Sequence, residues 1–187
     1  MASNEVQLGG GYASGMFYTA PANTALPTYP GDDLTAWTEV GDIDADGITF
    51  TPRDSDTLKN WAGQPKRVIP GADPATVSAK IMDTTKTALT AIFGSVTETA
   101  ATADHGKLLT IDMDSKPAAA AFLFVMKDGD DMMMIGCTQG QVSAVDNVSF
   151  APGAAINWTP TITAMGDDGF KLIMKEATGA TGATGAS

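Results

Sequence analysis

The residues best equipped for chemistry in this chain are three alternating carboxylates, one histidine and one cysteine. Asp42, Asp44 and Asp46, followed by Gly47, reproduce the opening of a calcium-binding loop. In such a loop acidic side chains at positions one, three and five converge on the ion, and glycine at six makes the sharp bend. The pattern breaks at position twelve, where Arg53 stands in place of the bidentate glutamate. The same spacing fits an acidic turn in which Asp and Gly supply backbone geometry. Residues 36–41 and 47–52 are then expected as the two strands that flank it. Asp42, Asp44 and Asp46 stay as the metal candidates; Asp128, Asp130 and Asp131 form a second acidic turn with the same reading.

His105 is the only histidine, between Asp104 and Gly106 in a polar stretch. One imidazole cannot build a multi-histidine metal site, and a Ser or Cys nucleophile would need it as base. No Gly-x-Ser-x-Gly elbow, P-loop or dinucleotide fingerprint occurs. Cys137 has no second cysteine to pair with, so it is expected as a small buried apolar group on a strand. No catalytic residue and no cofactor is assigned, and the chain is not expected to be an enzyme.

The elements that would carry any site are β-strands. Two apolar runs, residues 118–126 and 132–137, flank the second acidic turn, and a third, alternating run covers residues 141–150. Asp-Gly between apolar runs is a strong hairpin signal. These runs are apolar on both faces, so the sheet must be covered on both sides, in part by other copies of the chain. Residues 16–19, 74–82, 107–114, 155–164 and 170–175 read as further strands. Residues 84–93 read as one helix, capped by Asp83 and stopped by Gly94, with Ala88, Leu89, Ile92 and Phe93 at helical spacing. Trp37 and Trp158 fall in strand patterns and are expected in the core. Residues 53–73 are polar, without periodicity and longer than the usual loop, the kind of segment that orders against a partner. Trp61 within it is an isolated aromatic and a candidate interface anchor.

The chain has 187 residues, 43 % hydrophobic, with 22 Asp and Glu against 11 Lys and Arg for a net charge of −11. That supports one domain with a sizeable core. We divide it into an N-terminal arm (1–15), a β domain (16–175) and a low-complexity C-terminal tail (176–187). The charge repels phosphate, which disfavours gripping nucleic acid or an anionic membrane. No apolar run reaches the ~18 residues of a membrane span, and the first residues lack the basic and apolar parts of a secretory signal.

Six segments, taken in order, resemble the major tail (tail tube) proteins of long-tailed, siphovirus-type bacteriophages, especially those of actinobacterial hosts. They are GYASGMFYTAP (11–21), LPTYPG (26–31), WTEVGD (37–42), GITFTPRDSDTLKNWA (47–62), FLFVMKDGDDMMMIGCTQG (122–140) and VSFAPGAAINWTPTIT (148–163). The resemblance implies a mainly β fold, a sandwich or barrel with one flanking helix, a long loop and terminal arms. It implies homohexameric rings whose strands join an inner β-barrel, stacked into a hollow tube that passes DNA without sequence-specific binding. Tape-measure, tail-terminator and distal tail proteins are the implied partners. The virion tail is the implied location, with the host cytoplasm during assembly. On this reading Leu58, Trp61, Pro65, Val68 and Pro70 are the ring-stacking positions. Thr49, Thr51, Thr159, Thr161 and Thr163 are the lumen-facing ones, beside acidic turns that keep phosphate from sticking. The alternative is a calcium-stabilised extracellular β-domain for adhesion or for receptor or glycan binding.

Overall fold

A computed structural model describes residues 14–30, 32–71, 74–128, 131–153, 155–166 and 169–174. The proposed arm and tail therefore fall almost wholly outside the described residues, as does Asp130. Eleven strands and one helix follow in order: β1 (Ser14–Pro21), β2 (Thr38–Thr51), β3 (Ser55–Lys59), β4 (Pro65–Pro70), β5 (Thr76–Ile81), α1 (Lys86–Phe93), β6 (Val96–Thr99), β7 (Leu108–Ile111), β8 (Ala120–Asp128), β9 (Asp131–Val145), β10 (Pro160–Ala164) and β11 (Lys171–Met174). The fold is mainly β with one helix.

Strands β10, β5, β2, β1, β8 and β9 pair in that order, and β9 pairs back to β10, closing a ring of six antiparallel strands. β11 is added to β9 alongside Met133 to Gly136. Closure gives the sheet an inside and an outside, and β8 shows both through its two-residue period. Phe122 and Phe124 turn inward with Phe17, their rings stacked on its own at 5.9 and 4.7 Å, amid Val77, Ile81, Ile135, Val142 and Ile162. Ala121, Leu123 and Val125 turn outward and are buried by Ala20, Trp37 and Met134, with Leu26 and Leu34 packed alongside. Both faces of β8 are thus covered, and on the outer face this chain supplies cover: residues 22–30 and 32–37 lie over it, tied by the Asn23 amide donating to the Thr138 carbonyl.

Helix α1 packs Ala88, Leu89 and Ile92 into the inner cluster. A helix outside the ring reaches that cluster only through an open end, so α1 plugs one mouth. Trp158 joins it there, its indole N–H donating to Thr84 and its ring edge-on to Phe93. The N-cap is Thr85, whose hydroxyl accepts from the Ala88 amide. Asp83, the expected cap, instead accepts from the Asp42 amide and so ties the helix approach to β2. Gly94 ends the helix as expected, at φ +89°, where a side chain would also strike the Lys116 backbone. Thr85→Ala is expected to cost about 1 kcal/mol, read in thermal unfolding as a fall of roughly 2–4 °C.

Three expected boundaries are corrected. The second apolar run and residues 141–145 of the third are one strand, β9, and residues 146–150 lie beyond it. Residues 95–106, which are polar and read as a loop between the helix and the strand at 107–114, hold β6, which pairs with β7. The acidic residues 42–46 do not separate two strands: β2 runs through them as a wide bulge. Between the pairs Ile43↔Ile81 and Ile48↔Ala79, β2 advances five residues while β5 advances two. The extra residues loop out, and the apolar pairs on either side hold the register.

Candidate assembly surface

Residues 53–73, expected as an irregular loop, instead form a β-hairpin among their described residues. β3 and β4 pair from Ser55↔Pro70 to Lys59↔Pro65, and the base is closed by the Gly71 amide donating to the Asp54 carbonyl at 2.7 Å. The periodicity was hidden because neither face is buried: a strand that packs on nothing needs no apolar alternation. Leu58 and Val68 are 51 % and 62 % exposed, and Pro65 is exposed. Pro70 closes the ladder opposite Ser55.

The tip is rigid. Asn60 carries a lattice of turn bonds: its side-chain oxygen accepts from the amides of Ala62 and Gln64, its amide donates to the Gln64 carbonyl, and its carbonyl accepts from Gly63. Gly63 sits at φ +77°, a conformation that glycine adopts without strain. Trp61 is held on this turn, fully exposed. An ordered turn that presents a large aromatic ring to water is preorganised for binding, because the entropy of fixing the loop is already spent. Trp37 and Trp158, by contrast, are core residues.

A second surface lies on the outside of the barrel. Residues paired across antiparallel strands share a face. The register therefore aligns Thr49, Ser78 and Thr161 in one row, and Thr51, Thr76, Thr163 and Gln141 in the next. Ser143 extends the patch, accepting from the Thr163 hydroxyl and donating to the Thr161 carbonyl. Inward from the same strands point Val77, Ala79 and Ile162. Four of the five threonines singled out in the sequence are thus brought together. Thr159 lies one residue before β10, half-buried, its carbonyl accepting from the Asp146 amide. Thr76 and Ser78 were missed, although Thr-Val-Ser-Ala-Lys-Ile in β5 alternates cleanly.

At one end of this patch stands an ion pair, Lys80 with Asp46. Asp44 accepts from the Asp46 amide and from Asn157, bonds that hold its carboxyl below the usual carboxylate range. Two of the three metal candidates have their carboxylates engaged, Asp44 by Asn157 and Asp46 by Lys80, while Asp42 binds through its backbone amide, which donates to Asp83. Among the described residues, no group of three His, Cys, Asp or Glu side chains is placed to hold a metal. His105 is exposed, its Nδ1 beside the Gly106 carbonyl.

Cys137 lies in the barrel, 1 % exposed, and burial pushes its thiol from 9.0 up to about 11. The unfolded chain releases this proton near 9.0 and the folded chain holds it to about 11. Its contribution is therefore complete below the lower value, and stability falls as pH rises between the two. Native protein at about pH 8 is expected to resist alkylation that goes to completion after unfolding. Rapid labelling of the native state would place the thiol at the surface.

A comparison with solved structures finds similarity to three chains, among others. One is the sheath/tube terminator of the extracellular contractile injection system PVC in its extended state, with 11 % identity, 86 % of this chain and 93 % of that one covered, and TM-score 0.40. The second is the sheath–tube complex of the same system, with 11 % identity, coverage of 86 % and 88 %, and TM-score 0.41. The third is the tube-terminating cap of the anti-feeding prophage, with 10 % identity, coverage of 85 % and 88 %, and TM-score 0.39. No curated protein sequence matches the chain. A family model does match, over residues 1–183, and by it the chain belongs to the phage tail tube protein family.

Proposed function

We propose that six copies of this chain close into a ring and that rings stack, through the β3–β4 arm, into the hollow tube of a phage tail. As a tail tube family member the chain is a structural component of the virion tail. The observation that carries the finer reading is the arm: a hairpin that forms its own two-stranded sheet, apart from the barrel's, and ends in a fully exposed Trp61. Leu58, Pro65 and Val68 flank it as contact positions, and Pro70 sets its base. A contact between two different patches of identical subunits propagates a filament, and one that closes by rotation makes a ring.

The hydroxyl face is the surface we assign to the lumen. Thr49, Thr51, Thr161 and Thr163, with Thr159 beside them, offer passing DNA small neutral groups that bind water, while the net charge of −11 per chain repels phosphate. DNA then transits without sequence-specific binding. The tube ends and length call for tape-measure, terminator and distal tail proteins, and assembly takes place in the host cytoplasm. The segments at residues 11–62 and 122–163 favour a non-contractile, siphovirus-type tail and an actinobacterial host.

The test is negative-stain electron microscopy of the purified chain across a concentration series. Hollow tubes or six-fold rings are the expected result. Discrete monomers at every concentration, also after adding a tail initiator complex, would overturn the reading.

A further inference from the structure

The arm is charged opposite to the rest of the molecule. Residues 53–70 hold Arg53, Lys59, Lys66 and Arg67, four of the eleven basic residues and both arginines of the chain, against Asp54 and Asp56 of the 22 acidic ones. The arm therefore carries +2 and the remainder −13. All four basic side chains are exposed, and among the described side chains none of them is in an ion pair. The two ion pairs described, Lys80–Asp46 and Lys107–Glu98, both lie off the arm. The cross-strand pair Leu58↔Arg67 puts a guanidinium beside an exposed leucine on one face, and Thr57↔Val68 gives the other face its apolar contact.

We infer that the arm docks by charge complementarity on the acidic exterior of a second copy of this chain, its arginines and lysines pairing with carboxylates there while Trp61 and Leu58 supply apolar contact. This rests on the stacked-ring reading and adds to it the chemistry that selects the partner surface. Exposed acids such as Glu39 and Asp114, in no ion pair among the described side chains, are present on every copy. Two bodies of net charge −13 repel one another unless the oppositely charged arms lie between them, so the same segregation disfavours side-by-side sticking and favours the arm-mediated contact. Duplex DNA is the other polyanion that such an arm could meet. The acidic body behind the arm opposes it at distances within a Debye length.

The experiment is sedimentation of the full chain between about 50 and 500 mM NaCl, with electron microscopy of each pellet, for the wild type and for K66Q/R67Q. A fluorescent duplex of about 30 base pairs is added in parallel. The concentration needed for assembly is expected to rise about tenfold with salt for the wild type. The variant should need the higher concentration already at low salt and respond little to salt, and the duplex should stay unbound. Wild-type tubes indifferent to salt, or a variant with the wild-type salt response, would overturn the docking inference and leave the tube reading standing. Binding of the duplex by the wild type but not by the variant, with assembly unchanged, would overturn it in favour of DNA. Salt-sensitive, arm-dependent association into something other than rings or tubes would sink the tube reading alone. No association at any salt would sink both.

Discussion

Deletion of residues 55–70, with Asp54 joined to Gly71, is expected to yield a folded subunit that no longer stacks. The ends need no new path, since the Gly71 amide already donates to the Asp54 carbonyl at 2.7 Å. The cut breaks no ladder of the barrel, because among the described strands β3 and β4 pair with each other. The unfolding midpoint should thus stay within a few degrees of wild type, while assembly disappears. Trp61→Ala should approach the same result alone. Burying an indole of roughly 150–250 Å² at about 25 cal/mol per Å² is worth up to ~4–6 kcal/mol before binding costs. Losses of ~2–4 kcal/mol are usual for a central aromatic anchor. In the proposed six-fold ring that loss would recur at every arm, so even the low end would suffice to prevent growth. Sedimentation and microscopy read the assembly, and thermal unfolding reads the fold. Tubes of normal length from the deletion variant would remove the arm from the stacking role.

That prediction depends on a hairpin that the residue pattern did not reveal, and the reason is physical. Patterns report burial. β8, apolar on both faces, was legible because one face fills the barrel and the other lies beneath Trp37 and Leu26. β5 and α1 were legible for the same reason, each with one apolar side set into the core. The described side chains of the arm are mostly exposed, so its strands read as loop even though they form a ladder. Trp61 could still be picked out as a surface aromatic, because a tryptophan amid polar residues lacks the apolar neighbours of a core position. The bulge in β2 was misread from the other direction: Asp and Gly signal a turn, and only pairing of Ile43 and Ile48 with one neighbour, β5, carries the strand through it. Asp83 shows the same limit at smaller scale. It is a good cap by type, but a backbone amide from β2 claims it, and Thr85 takes the role.

The second large effect concerns what holds the assembly surfaces in place. The arm and the hydroxyl face project from one closed barrel, so their relative placement is only as firm as its interior. Phe124 is fully buried there, stacked at 4.7 Å on Phe17, which itself stacks on Phe122. Phe124→Ala is expected to cost about 3–5 kcal/mol, through lost transfer energy and a cavity that a hydrogen-bonded ring of strands cannot collapse to fill. For a chain of this length that corresponds to a fall of roughly 6–20 °C in Tm, from a total stability of about 5–15 kcal/mol. Thr161→Val offers the matched control. It sits on the same closed sheet but points outward, and its change in stability should stay within about 0.5–1 kcal/mol. If both variants melt like wild type, the three rings do not form the interior stack and the barrel is not closed as described. If Phe124→Ala melts early and, held below its new midpoint, still forms tubes, the arm alone sets the stacking energy. In that case the core serves only to hold the arm and the hydroxyl face on one body.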